Sequence, residues 1–217
     1  MKFIHTADWH LGQTFHEHDR TREHEAFLAW LLGTLVAEQP DALVVAGDIF
    51  DTANPSSAAQ TMLYRFLADA RSAVPGLVTI IIAGNHDSGG RLEAPSPILE
   101  GLGVHVSGTV VRNPDASILL DRLMVPVKAA GVLKGWCIAM PFLRTADLPP
   151  VDEGQDPWRA GMERLVADLA ARGRELAGPD LPLVLAGHCH LAHGAVSELS
   201  ERSLLVGGSE AVPAGLF

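Results

Sequence analysis

The chain has 217 residues, 47% of them hydrophobic, with a formal net charge of −10. That length suits one large α/β domain or slightly more, and the acidic balance argues against a broad basic surface for nucleic acid. No apolar run approaches the roughly 20 residues of a membrane helix, the N-terminus turns acidic at Asp8 before a signal-peptide core could form, and two cysteines make no disulfide framework, so a cytoplasmic protein without a membrane partner is expected.

Residues 2–6 read as a buried strand that ends at Asp8-Trp9-His10. Residues 19–38 follow as a helix, because Phe27, Leu28, Leu31, Leu32 and Leu35 recur at three- and four-residue spacing. Gln39-Pro40-Asp41 stops it, and a second strand, 42–46, runs into Gly47-Asp48-Ile49-Phe50-Asp51. Pro55-Ser56 opens a second helix with Ser56 as N-cap and a stripe of Ala59, Met62, Leu63, Phe66, Leu67 and Ala70. A third strand, 78–83, leads to Gly84-Asn85-His86-Asp87. Strand–helix–strand–helix–strand predicts a parallel sheet with right-handed crossovers and helices on its faces. Beyond it come a short helix at 95–102, a brief strand at 104–106, and strands at 117–123 and 132–139 as an antiparallel pair of a second sheet. After a Pro- and Asp-rich loop, a helix spans 157–177 on Met162, Leu165, Val166, Leu169 and Leu176. A strand at 183–186 ends at Gly187-His188-Cys189-His190, and a last strand is expected at 203–206.

Four clusters of metal-ligand residues therefore sit where strands end. If those strands are neighbours in one sheet, the clusters converge on one edge. Asp8 and His10, two residues apart on an extended segment, point to the same side and can share a cation. Asp48 follows a glycine that lets backbone approach closely, and one Asp can bridge two metals. Asn85 offers an amide oxygen and His188 a nitrogen. Such mixed N/O ligation suits Mn, Fe or Zn better than Mg or Ca. Two metals about 3.5–4 Å apart would clamp a phosphate and activate water. Adjacent residues on a turn do not easily ligate one metal pair together, so His86 is cast as a donor to the phosphate or leaving group, with Asp87 orienting its imidazole and Asp51 holding the loop that presents Asp48. His5 is expected in the core, Trp9 beneath the metals, and His16, His18 and His24 in a solvated loop running into the first helix. His190 and His193 are surface loop histidines on the same grounds, and Cys189 lacks the second Cys/His pair that a zinc site needs.

The order Asp-x-His, Gly-Asp-x-x-Asp, Gly-Asn-His-Asp and a late Gly-His resembles the calcineurin-like metallophosphoesterase superfamily. The flanks at 5–12, 45–52 and 83–88, with Met140-Pro141-Phe142-Leu143-Arg144 and Ala186-Gly187-His188 downstream, resemble its DNA-nuclease branch over essentially the whole chain. The resemblance implies an α/β metallophosphoesterase fold, layered sheets flanked by helices, as one domain over 1–217. It implies a two-site Mn2+ enzyme (Mg2+, Fe or Zn being alternatives) with double-strand exonuclease and single-strand or hairpin endonuclease activity in DNA repair and recombination. An ATPase partner and a homodimer come with it. Carried over by position, Asp8, His10, Asp48, Asn85 and His188 are metal ligands and His86 the catalytic histidine. The family also has a final Gly-His-x-His. Either 187–190 is that motif, with His190 a ligand, or His188 is the earlier single histidine and the chain stops at Phe217 before the motif; the flank 194–217 favours the second. Arg20, Arg22, Arg91 and Arg144 are candidate phosphate contacts. Two rivals stand beside the nuclease: a phosphoesterase for small phosphate esters or cyclic nucleotides, and a catalytically incomplete docking component.

Overall fold

The computed structural model describes residues 1–190, Val212 and Gly215; the strand expected at 203–206 and His193 lie outside them. In chain order the elements are β1 (Phe3–Thr6), a small hairpin of β2 (Thr14–Phe15) and β3 (His18–Asp19), α1 (Thr21–Glu38), β4 (Ala42–Ala46), α2 (Ser57–Ala73), β5 (Val78–Ile82), α3 (Gly89–Glu93), α4 (Ser96–Leu99), β6 (Val104–Ser107), β7 (Met124–Ala129), β8 (Val132–Met140), α5 (Pro157–Ala177) and β9 (Leu183–Gly187).

The first sheet is parallel, in the order β1-β4-β5-β6. Its strands alternate between two cores, as a period of two requires. Leu43, Val45 and Ile81 face one way, against Leu28, Leu31 and Leu35 of α1 and Leu63, Phe66 and Leu67 of α2. Ala42, Val44, Ala46, Ile80 and Ile82 face the other. The sequence predicts helices on both faces, but this second face packs on another sheet instead, meeting Val125 and Val127 of β7 and Cys137 and Ala139 of β8. The far side of that second sheet, through Met124, Ile138 and Met140, rests on Trp158, Met162, Leu165 and Leu169 of α5. The molecule is thus layered helix, sheet, sheet, helix.

The second sheet runs β7-β8-β9, with β7 antiparallel and β9 parallel to β8. Two sequence expectations change here. The strand ending at His188 is not in the first sheet; the fourth cluster reaches the other three across the sheet interface. The antiparallel partner of β8 is Met124–Ala129, not residues 117–123, where Leu120–Leu123 is a single 3-10 turn. Pro126 discourages a strand assignment, yet β7 lies at the sheet's edge, where a missing N–H is tolerated. Edge position also explains β1. It alternates exposed and half-buried, so Phe3 and His5 stand out in solvent rather than in the core.

Local signals hold elsewhere. Ser56 caps α2 by accepting from the Ala59 N–H at 3.2 Å, and Asp156 caps α5 by accepting from Trp158 and Arg159. The helix expected at 95–102 is α4 continued by a 3-10 turn, Glu100–Leu102. No helix among the described residues is long and apolar enough to cross a membrane.

Candidate metal centre

Past their last ladder bonds, the loops after β1 and β4 still run side by side. Asp8 N–H donates to the Gly47 carbonyl at 3.1 Å, His10 N–H to Asp48 at 2.9 Å and Leu11 N–H to Ile49 at 3.0 Å. Holding that course requires left-handed backbone at Asp8 (φ 56°), His10 (φ 45°) and Asp48 (φ 46°), conformations that cluster at functional sites. Gly47 has φ 90° and its hydrogens face the His188 imidazole; a Cβ there would overlap the ring. Trp9 is buried beneath the loop, edge-on to Phe27 and Phe66 with centroids 5.8 and 5.4 Å apart.

Asp48 lies at the centre, 4% exposed. Its Oδ1 accepts from the His86 N–H at 2.9 Å. Its Oδ2 faces three imidazoles, with Nε2 of His188 at 3.6 Å, of His10 at 3.7 Å and of His86 at 3.9 Å. Ligand atoms of His10, Asp48 and His86 lie within 4.8 Å of one another, and so do those of Asp8, Asp48 and His188. Asp48 belongs to both groups.

The hydrogen bonds fix the tautomers. His188 Nδ1 donates to the Ala46 carbonyl at 3.0 Å, and His86 Nδ1 to the Asp51 carbonyl at 2.9 Å. Each ring then turns Nε2 toward Asp48. His188 Nε2 also stands within hydrogen-bonding distance of Asn85 Oδ1, at 3.0 Å. His10 Nδ1 is buried without a hydrogen-bond partner, 3.6 Å from Asp51 Oδ1. A buried carboxylate faced by three imidazoles is stabilised by positive charge. The donor set of carboxylates, imidazoles and one amide oxygen fits divalent cations of the Mn, Fe or Zn kind.

All five carried-over ligand positions are brought together. Adjacent Asn85 and His86 both face the centre, because the turn sends Asn85 to the His188 side of Asp48 and His86 to the His10 side. Asp87 does not pair with the His86 imidazole. Its carboxylate is consumed by the N–H groups of Ile49 (3.1 Å), Phe50 (3.0 Å) and Gly84 (2.9 Å). Burial raises its pKa from the ordinary value, the three amides oppose that rise, and nearby Asp48 adds to it. Asp51 orients His86 by its main-chain oxygen and faces His10 by its side chain.

The centre opens into a cleft of about 840 Å3, also lined by Gln13, Arg20, Glu23, His24 and Phe27. Of the four arginines read from the sequence, Arg20 lines the cleft, its Nη1 donating to Gln13 Oε1 at 2.8 Å. Arg22, Arg91 and Arg144 are exposed and do not line it, and Arg144 lies over the Phe142 ring. His16 and His18 are exposed on the β2–β3 hairpin, but His24 is buried, and desolvation, reinforced by Arg20, lowers its pKa. His190 lines the cleft edge-on to Phe142 and is in neither ligand group. Cys189 packs on the second core, where burial raises its thiol pKa. The sequence places His24 in a solvated loop, where the structure buries it in α1, and gives no sign of Gln13 or of the two carbonyls that hold the imidazoles. His24 falls in the polar first turn of a helix, and a backbone oxygen carries no residue signal.

Two face-packed sheets with a buried carboxylate common to two ligand groups at their strand ends define an α/β protein organised around a candidate dinuclear metal centre. The chain belongs to the calcineurin-like phosphoesterase family, whose model matches residues 1–207. It is 45% identical over 223 residues to the SbcD component of the SbcCD nuclease from Rhodobacter capsulatus, covering all of this chain and 55% of the relative. It is 34% identical over 224 residues to the Escherichia coli K12 protein of the same name and 33% over 221 residues to that of Bacillus subtilis, covering 53% of each. The chain spans about half the length of the curated relatives it matches.

Proposed function

We propose that the chain is the phosphodiesterase part of an SbcD-type nuclease, a metal-dependent DNA hydrolase that works in the cytoplasm with an SbcC-type ATPase and as a homodimer. The observation that carries this is the sharing of Asp48 between the His10–His86 and Asp8–His188 groups. Likeness to proteins named as components of the SbcCD nuclease supports DNA as the substrate.

Asp8, His10, Asp48, Asn85 and His188 would hold two divalent cations, with Mn2+ the first choice. Bound there, the cations supply Lewis-acid polarisation of the phosphate and a water acidic enough to attack near neutral pH. The remaining work falls to the chain. Asp48 keeps one oxygen toward the ligand groups because the other is held by the His86 amide. His86, with Nδ1 committed to the Asp51 carbonyl, can carry a proton on Nε2 to the leaving oxygen. Trp9 and its aromatic neighbours keep the loop floor dry. Arg20, which lines the cleft, supports a phosphate flanking the scissile one.

Manganese-stimulated cleavage of a DNA hairpin, abolished in His86→Ala, is the expected result. Absence of cleavage with every divalent metal would sink the proposal. The acidic balance of the chain favours a second reading, a phosphoesterase for small esters or cyclic nucleotides. Turnover of a chromogenic phosphodiester without cleavage of DNA would select it.

A further inference from the structure

We infer that Asp87 is a positioning residue: its carboxylate sets the gap between the Asp48 loop and the Asn85–His86 turn, and it orients the His86 imidazole through the Asp51 carbonyl. This rests on the two-cation reading above. The β4–β5 ladder ends where the Gly47 N–H donates to the Ile82 carbonyl at 3.0 Å. Past that bond, side chains join the two loops. Asp87 Oδ2 accepts from Ile49 N–H and Gly84 N–H, and Oδ1 from Phe50 N–H. In the other direction, Asp48 Oδ1 accepts from the His86 N–H. Each loop gives a carboxylate to the other's amides, so neither can shift alone.

Three converging donors match an ionised carboxylate, which only accepts. The Phe50 amide is the N–H immediately before Asp51, and the Asp51 carbonyl holds His86 Nδ1 at 2.9 Å. Asp87 therefore reaches the imidazole through two successive hydrogen bonds, although it does not touch it. Asn at this position keeps the shape but turns an NH2 group toward an N–H donor. The Ile49–Phe50 segment then loses its anchor, and with it the directions of Asp48 Oδ2 and His86 Nε2.

The test compares the 217-residue chain with Asp87→Asn by thermal melting, calorimetric titration with Mn2+ alone, and steady-state turnover of bis(p-nitrophenyl) phosphate at saturating Mn2+. The expected variant melts cooperatively, binds Mn2+ about 10–100-fold more weakly and loses about 10–100-fold in kcat with KM little changed. Mn2+ affinity and kcat equal to those of the parent chain overturn the inference. If Asp87→Asn fails to melt cooperatively, Asp87→Glu retains the charge and both oxygens on a longer arm. It is expected to restore folding while kcat stays depressed; Asp87→Glu with parental kcat and Mn2+ affinity likewise overturns the inference. Failure of the parent chain to bind Mn2+ overturns the two-cation reading itself and this inference with it.

Discussion

The first sheet sends three strand ends into the cleft, those of β1, β4 and β5, whereas the second sends one, that of β9. The first sheet's loops carry Asp8, His10, Asp48, Asn85 and His86, and they are tied to one another by amide–carbonyl and amide–carboxylate bonds. The second contributes His188, keyed to the first at the Ala46 carbonyl and at Asn85 Oδ1. Interdependence is therefore densest among the loops of the first sheet. The other acts mainly as a floor, and its contribution should be separable.

The sharpest test of that contrast compares Asp48→Asn with His188→Ala. Removing the carboxylate common to both groups should cost turnover on the order of 10³-fold, about 4 kcal/mol of transition-state stabilisation, and abolish both Mn2+ sites in a titration. The floor itself is probed by Leu169→Ala, since Leu169 is fully buried in the core between α5 and the second sheet. It should lower stability to urea by about 3 kcal/mol while the folded fraction binds Mn2+ with parental affinity. A weakened Mn2+ site in that variant would show that the floor is part of the site after all. His188→Ala should remove one Mn2+ site and cost roughly 10–100-fold in turnover, about 1.4–2.7 kcal/mol. Equal losses for Asp48→Asn and His188→Ala would erase the distinction between the sheets.

The same contrast governs what could be read in the sequence. In the first sheet, β4 and β5 are buried on both faces, so their runs of Val and Ile read as continuous apolar stretches. Ligand-type residues follow each strand directly, so Asp8, His10 and Asp48 stand out in the sequence, but left-handed backbone at Asp8 and His10 puts them in different ligand groups instead of on one shared cation. In the second sheet, Pro126 concealed β7, and the alternation of 117–123 mimicked a strand that is a bridge at Ile118 followed by a 3-10 turn. Sheet membership of β9 depends on pairing with β8, on the far side of α5 in the chain, and no local pattern encodes that. Adjacency in the sequence makes Asp87 look like an imidazole partner. Its true partners, the amides of Ile49 and Phe50, sit 38 and 37 residues away and have no side-chain signature.

The smallest effect concerns the edge of the first sheet away from the cleft. His105 on β6 has its pKa lowered from 6.5 chiefly by burial, with Glu100 opposing. The unfolded chain then binds a proton that the folded chain refuses. Stability contributed by the neutral ring is complete above the unfolded value of 6.5 and is lost progressively as pH falls through the folded value. Melting temperature should therefore decline as pH is lowered from about 7 into the range below the ordinary histidine pKa, and His105→Gln should make that decline shallower without altering Mn2+ affinity. An unchanged slope would assign the decline to other groups, His24 first among them, since its pKa is lowered in the same direction and it lies in the cleft wall. A slope that flattens only when Mn2+ is absent would tie acid sensitivity to the cleft end of the sheet and leave β6 as scaffold alone.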